Sequence, residues 1–394
     1  MTESLLLSAV RTPIGKYLGG LSDLSAPALG AVVVAEAIRR ANVAAGQVDE
    51  VIMGQVIQAG SGQNPARQAA LKAGLPDTVS AVTINKVCGS GLKSVMLADH
   101  AIRSGDAEII VAGGMESMSR APFLLMNARQ GWKFGDQKAI DAMIQDGLWC
   151  AFEGKHMGES AEHTASTCGI SRHDQDHFAV QSQHRAASAW EQGLFNPEVV
   201  PVTVGSGAKA KILNHDESIR PETSLDGLGK LRPAFQAVGT VTAGNASTLS
   251  DGAAAVVVAS ARAAEKLGTA PLGRIVAQAT GGIAPKDIFL APVLAIRKVL
   301  DKARLTLKDI DLFELNEAFA AQVLADGKEL GLDYARVNVH GGAIAMGHPI
   351  GASGARILVT LLHAMRQRDA KRGLAALCLG GGNAVAMIVE QVKN

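Results

Sequence analysis

Residues 83–114 read TINKVCGSGLKSVMLADHAIRSGDAEIIVAGG. A β-type opening runs into a Gly-rich turn. Leu92, Val95, Met96 and Ile102 then recur at helical spacing, and an apolar β-branched run from Ile109 ends in Gly113-Gly114. The passage predicts strand, turn, helix and buried strand in that order. Residues 338–382 repeat it: a Gly-rich stretch, a helical face carried by Ile357, Leu358, Leu361 and Leu362, then an apolar strand closing in Gly380-Gly381-Gly382. Two such units imply an internal repeat that brings two glycine-lined strand ends together, with chance similarity among α/β units as the competing explanation.

Outward from these passages, Glu50 to Met53 and Ala254 to Val258 read as further buried strands. Leu5 to Val10 reads as a first strand, because Arg11, Thr12 and Pro13 follow at once and no basic segment precedes it. Strands alternating with helical patterns predict a layered α/β protein. The character changes over residues 119–243, which hold all three Trp, six of the ten His and long polar loops. That stretch reads as an inserted domain, placed to hold a large ligand beside the strand ends.

Of the 394 residues, 47% are hydrophobic and 19% charged, a balance that excludes disorder, and a net charge of +1 provides no field for nucleic acid. No apolar stretch approaches the roughly 18 residues that cross a bilayer. Cys88, Cys150, Cys168 and Cys378 form no Cys-x-x-Cys pair, which suits a reducing compartment, and a cytoplasmic location is expected. The terminal Val392-Lys393-Asn394 lacks a peroxisomal address.

Cys88 stands between a β-type segment and a helix. There the helix dipole is expected to favour thiolate, and Gly89 and Gly91 to let a substrate approach the backbone. The plainer reading is a buried structural cysteine. His348, held by Pro349 among glycines, suits a base or an oxyanion donor, although a loop histidine is commonly just solvated. Cys378 precedes Gly380, where bare amides can meet a developing negative charge, and its plainer reading is a small core residue.

Taken together, residues 85–93, 341–354 and 378–382 resemble the nucleophile, histidine and second-cysteine motifs of thiolases. Asn316-Glu317-Ala318-Phe319-Ala320 resembles a fourth, and residues 113–119 and 240–252 extend the likeness over essentially the whole chain. The resemblance implies the thiolase fold: two similar βαβαβαββ halves in five αβαβα layers plus an inserted loop domain. Residues 1–118 with 244–270 would form the N-terminal half, 271–394 the C-terminal half, and 119–243 the loop domain for coenzyme A and oligomer contacts. It implies an acetyl-CoA C-acetyltransferase that reversibly condenses two acetyl-CoA into acetoacetyl-CoA and CoA. No cofactor is implied beyond CoA as substrate and product, no metal, no membrane or nucleic-acid partner, and a homo-oligomer, dimer or tetramer.

By the same resemblance, His348 takes the Cys88 proton, Cys88 carries the acetyl group, and Cys378 removes an α-proton from the second acetyl-CoA. The enolate oxygen would meet His348 and a water on Asn316, and the acyl oxyanion the N–H groups of Cys88 and Gly380. CoA would contact His156, Met157, Arg220 and Ser247, with Ala318 and Phe319 also bordering substrate. An ordinary surface charge is the plainer reading of Arg220. Ile288-Phe289-Leu290 departs from the short-chain pattern, which leaves a 3-ketoacyl-CoA thiolase of broader chain length open. Asn383-Ala384 departs beside the oxyanion backbone. A malonyl-using ketoacyl synthase and a silent acyl-CoA-binding relative are the rivals.

Other signals fail their context. His173 and His177 have metal-ligand spacing on a helix but no third ligand. Residues 205–210 imitate a dinucleotide loop without the following amphipathic helix. Gly351-Ala352-Ser353-Gly354-Ala355 only partly resembles a hydrolase elbow and reads as scaffold.

Overall fold

The apolar runs become the strands of one large, two-leaved sheet. In the computed structural model, which describes residues 3–392, they are β1 (Ser4–Arg11), β2 (Glu50–Gly54), β3 (Ser80–Ile84), β4 (Ile109–Ser117), β5 (Ser250–Ser260), β6 (Gly273–Gly282), β7 (Leu312–Leu315), β8 (Arg372–Leu379) and β9 (Asn383–Glu390). Lys393 and Asn394 of the terminal stretch lie outside the described residues. The strands run in the order β3-β2-β4-β5-β1-β6-β9-β8-β7. At the centre β1 meets β6 only through Leu5 and Leu6, opposite Arg274 and Gly273. The sheet is therefore two leaves joined at one corner.

The leaves repeat each other. In the first, β2 runs parallel to β3 and β4, β5 antiparallel to β4, and β1 antiparallel to β5. In the second, β7 runs parallel to β8 and bridges Val337 in parallel, β9 is antiparallel to β8, and β6 antiparallel to β9. Identical order and sense confirm the internal repeat and exclude chance similarity.

Eight principal helices cover the leaves: α1 (Ala26–Arg40), α2 (Pro65–Lys72), α3 (Ser90–Ser104), α4 (Met157–Cys168), α5 (Arg172–Glu191), α6 (Ala291–Ala303), α7 (Ala320–Leu330) and α8 (Ile350–Gln367). Side-chain alternation along the strands shows which helices lie where. Ala254, Val256 and Val258 of β5 pack with Leu92 and Val95 of α3, Leu361 and Leu362 of α8, and Ala375 and Leu377 of β8. On the other face Ala253, Ala255 and Val257 meet Leu29, Val33 and Val34 of α1. Leu374 and Ala376 of β8 face outward to Ala295, Ile296 and Val299 of α6. The layers are thus α1, first leaf, α3 with α8, second leaf, α6.

Every residue of α8 from Ile350 to Met365 is buried, as a helix between two sheets must be. Its fully buried Arg356 meets Glu314 at 3.3 Å, so that cation is paired. Residues 119–243 pack against both leaves: Ala165 of α4 meets Ala321 and Ala325 of α7, and Ala186 and Ala189 of α5 meet Ala345 and Met346, while Met143 meets Val56 and Ile57 and Val202 joins the core of the first leaf. Buried Arg11 on β1 ties them to the first leaf through Glu198 at 2.6 Å and Asp216 at 2.7 Å. The segment imitating a dinucleotide loop is the turn of a ribbon, Val202–Val204 with Lys211–Leu213.

Helices α3 and α8 touch backbone to backbone at their first turns. A Cβ on Gly91 would lie 2.7 Å from the Ala355 nitrogen, and one on Gly354 would lie 2.4 Å from the Leu92 nitrogen. Neither neighbour is a flexible side chain, so the helices would have to separate. Gly354→Ala is expected to lower unfolding free energy by about 1–3 kcal/mol. Gly46→Ala, where nothing lies within 4 Å, should leave the urea midpoint unmoved. Equal midpoints for both variants would show that the contact is not this tight.

Candidate active site

Cys88 sits in the turn between β3 and α3. The residue before it, Val87, has φ of 47°, a left-handed conformation that a β-branched side chain adopts only under constraint. The constraint is visible. Asn85 Oδ1 accepts from the Val87 N–H at 2.9 Å, and the Ser90 hydroxyl donates to the Val87 carbonyl at 2.6 Å while accepting from the Lys86 N–H at 2.8 Å. The glycines here serve packing rather than substrate approach: a Cβ on Gly89 would lie 2.0 Å from Leu379 Cδ2, and Gly91 makes the helix contact.

His348 comes from the matching turn of the second half, just before α8. Its backbone N–H donates to the Thr248 carbonyl at 3.1 Å and lies 3.3 Å from the Ser250 hydroxyl. Ring Nδ1 lies 2.6 Å from Ser353 Oγ, and Nε2 lies 3.4 Å from Asn316 Nδ2. Asn316 is fully buried beside Nε2 and is not among the residues that line the pocket, and its Oδ1 has no hydrogen-bond partner. Neighbouring Glu317 accepts from the Ile344 N–H at 3.1 Å, Asn338 Nδ2 at 2.8 Å and the Ser182 hydroxyl at 2.6 Å, which ties residues 316–318 to the histidine turn and to α5.

Cys378 ends β8 and is buried with Ile288, Phe289, Ala318 and Phe319. The turn after it uses two positive-φ glycines, Gly381 and Gly382. That bend leaves the Gly380 N–H directed at the Cys88 sulfur, beside the N–H of Cys88 itself. The departure at Asn383-Ala384 does not reach the site: Asn383 pairs with Gly282 and Leu379, and Ala384 faces the outer core with Ala376.

A cavity of about 600 Å³ joins these groups. Cys88, His348, Cys378 and Gly380 line it together with His156, Met157, Arg220, Ser247, Ala318 and Phe319, so of the sequence-derived candidates only Asn316 is absent from its lining. His156 caps α4 by accepting from the Gly158 N–H at 3.0 Å and stacks on Phe235 at 4.9 Å. Ser247 and Ala318 are joined through the Ser247 N–H and the Ala318 carbonyl at 3.0 Å. Arg220 is exposed and makes no ion pair among the described residues. Exposed Lys16 and Tyr17 share its end of the cavity lining, and Ile288 and Phe289 lie at the buried end. Among the described residues no group of three or more His, Cys, Asp or Glu is arranged to hold a metal.

The electrostatics overturn one expectation. Burial pushes the Cys88 thiol up to about 12, and the N–H groups of Cys88 and Gly380 offset only part of that. Desolvation of a thiolate among apolar walls thus exceeds the stabilisation by these two N–H groups. Cys378 is raised well above the ordinary thiol range, again by burial and then by Cys88. Burial, reinforced by Arg356, lowers His348 to about 3. The resting site holds two thiols and a neutral imidazole.

Ser353, read as scaffold from sequence, is the hydrogen-bond partner of His348. Its place one helical turn beyond Pro349 was the available signal. Glu116 was also missed: buried on β4, it accepts from the Gly351 N–H at 3.0 Å and the Val56 N–H at 3.0 Å, and burial raises it to about 7.

Fold and site define the class: a duplicated αβαβα protein with a two-thiol pocket where its halves meet. The family model for the thiolase N-terminal domain matches residues 4–262, and that for the C-terminal domain matches residues 269–391. The chain belongs to the thiolase family. It is 55% identical over 392 residues to an acetyl-CoA acetyltransferase of Cupriavidus necator, covering 99% of this chain and 100% of that protein. It is also 55% identical over 394 residues to an Escherichia coli protein of the same name, covering 100% of both. The crystal structure of the Bacillus anthracis acetyl-CoA acetyltransferase superposes with a TM-score of 0.98 at 42% identity, covering 100% of this chain and 99% of that one.

A neutral thiol and imidazole predict a pH signature. The ultraviolet absorbance of the Cys88 thiolate, read as the difference from Cys88→Ala, should be absent at about pH 6 and begin to appear only toward about pH 9. Absorbance already present at the acid end would show a resting thiolate–imidazolium pair instead.

Proposed function

We propose that the chain is an acetyl-CoA C-acetyltransferase, condensing two acetyl-CoA to acetoacetyl-CoA and CoA and running the same steps backwards as thiolysis. The observation that carries this reading is the meeting of Cys88, Cys378, His348 and the Gly380 N–H in one cavity. Acyl transfer from a thioester to Cys88 exchanges one thioester for another and keeps the acyl group activated, which a serine ester would not.

Nε2 of His348 takes the Cys88 proton as the sulfur attacks the acetyl carbon, and the proton leaves with the CoA sulfur. Cys88 does not have to stand as a free thiolate in the apolar pocket, which removes the penalty that holds it protonated. The N–H groups of Cys88 and Gly380 meet the tetrahedral oxyanion. Cys378 then gives its thiol proton to the freed Nε2 of His348 and, as the base, removes an α-proton from the second acetyl-CoA. The enolate oxygen is held by the protonated Nε2 and by a water on Asn316, whose unpartnered Oδ1 supports such a bridge. As the new C–C bond forms, the Cys88 S–acyl bond breaks and the sulfur takes its proton back from Nε2.

Substrate assignment rests on the ends of the cavity. Ile288 and Phe289 are buried beside Cys378, and Phe289 meets Phe319 edge-on at 5.4 Å, leaving the acyl end suited to a short chain. The exposed guanidinium of Arg220 and the stacked His156 and Phe235 suit the phosphates and the chain of CoA. Homo-oligomerisation is proposed from two surfaces. β3 is an edge strand with Val82 outward, and the hairpin Phe123–Leu125 with Ala139–Asp141 exposes Phe123, Leu125, Met126 and Phe134. No described helix is long and apolar enough to cross a membrane. Four free cysteines support a reducing, cytoplasmic setting.

Loss of the ketoacyl thioester, followed with CoA and either acetoacetyl-CoA or 3-ketohexanoyl-CoA, tests the reading. Acetoacetyl-CoA should turn over alone, and Cys88→Ala should lower the rate by about 10³-fold or more. Cys378→Ala should lose condensation yet still exchange labelled CoA into acetyl-CoA. Equal use of the longer substrate would overturn the short-chain assignment, and acyl-CoA binding without any turnover would overturn the enzyme. Light scattering should give a mass above one chain, and Phe134→Asp should lower it if the hairpin is the contact.

A further inference from the structure

We infer that Ser353 is a positioning residue that decides which nitrogen of His348 is basic. The inference rests on the reading of His348 as the base for Cys88. Nδ1 of His348 lies 2.6 Å from Ser353 Oγ, and the same hydroxyl donates to the Pro349 carbonyl at 2.9 Å. A serine has one hydroxyl hydrogen. With it committed to Pro349, Oγ accepts from Nδ1–H, and in a neutral ring that leaves Nε2 with the lone pair. On the other side of the ring the Asn316 amide lies 3.4 Å from Nε2.

The tautomer matters because the ring is buried and neutral, so only one nitrogen is a base. With the proton on Nε2, Cys88 would face a donor and have no acceptor for its own proton. Ser353 holds the productive form from the first turn of α8, one residue before the Gly354 contact with α3, and is itself 1% exposed. The hydroxyl's bond back to residue 349 keeps it from turning to donate to Nδ1.

Removing the hydroxyl leaves Nδ1–H buried without an acceptor. The alternative tautomer has an acceptor waiting, because Asn316 Oδ1 is buried and unpartnered and can face Nε2–H once the amide turns over. Ser353→Ala should therefore move the ring proton to Nε2 and disable the base while leaving the cavity in place.

The experiment follows Cys88 alkylation by iodoacetamide near neutral pH, read by peptide mass, in the full chain and in Ser353→Ala and Ser353→Thr. The Ala variant should alkylate Cys88 about 100-fold more slowly, at the lower end of what a lost general base costs. Its CoA affinity and melting temperature should stay at wild-type values, and Thr should restore the rate. Ring 15N shifts of His348 should read protonated at Nδ1 in the wild type and at Nε2 in the Ala variant, which decides the tautomer even where Thr packs poorly. An unchanged tautomer in the Ala variant overturns the inference. So does a slower rate that comes only with lost thermal stability. A wild type that never exchanges CoA into acetyl-CoA, yet whose Cys88 alkylation depends on Ser353, would sink the proposed function and leave the role of Ser353 standing.

Discussion

The structure depends on one backbone contact: the first turns of α3 and α8 press together where Gly91 and Gly354 carry no side chain. Both helices are sandwiched between the leaves, and each is preceded by a turn carrying a reactive group, Cys88 before one and His348 before the other. Closing the helices at their first turns brings those two turns to a single cavity. The duplicated leaf order supplies the frame, since each half delivers its turn at the same strand end. Catalytic geometry and core packing are thus the same constraint, and a methyl group at the contact would disturb both.

Burial then sets the chemistry. Apolar packing around the cavity holds both thiols protonated and the imidazole neutral, so the site stores no charge before substrate arrives. A thioester exchange tolerates this, because the proton moves from sulfur to nitrogen to sulfur in step with bond making. The two fully buried arginines among the described residues, Arg11 with Glu198 and Asp216, and Arg356 with Glu314, are paired and hold elements together around the site.

Much of this was legible in the chain. Continuous apolar runs marked β4 and β8, which are buried on both faces, helical spacing marked α3 and α8, and residues 83–114 and 338–382 showed the repeat. Cys88, His348, Cys378 and Gly380 stood out by residue type and by the glycines around them. The glycines were correctly located but wrongly explained: Gly89 and Gly91 make room for Leu379 and α8 rather than for a ligand. The expected thiolate was wrong for a related reason, since a local feature, the helix end, was weighed without the apolar walls contributed by distant segments.

By itself, the sequence determined the alternation of strands and helices, the internal repeat, the reactive side chains and the likeness to thiolases, because these are properties of neighbours along the chain. Only the tertiary structure decided that Asn316 stands beside Nε2 of His348, that Ser353 holds Nδ1, that Ile288 and Phe289 are buried beside Cys378, and that the resting site is neutral. The physical reason is that hydrogen-bond partnership and desolvation are set by which remote segments share a volume, and local sequence patterns carry no measure of that.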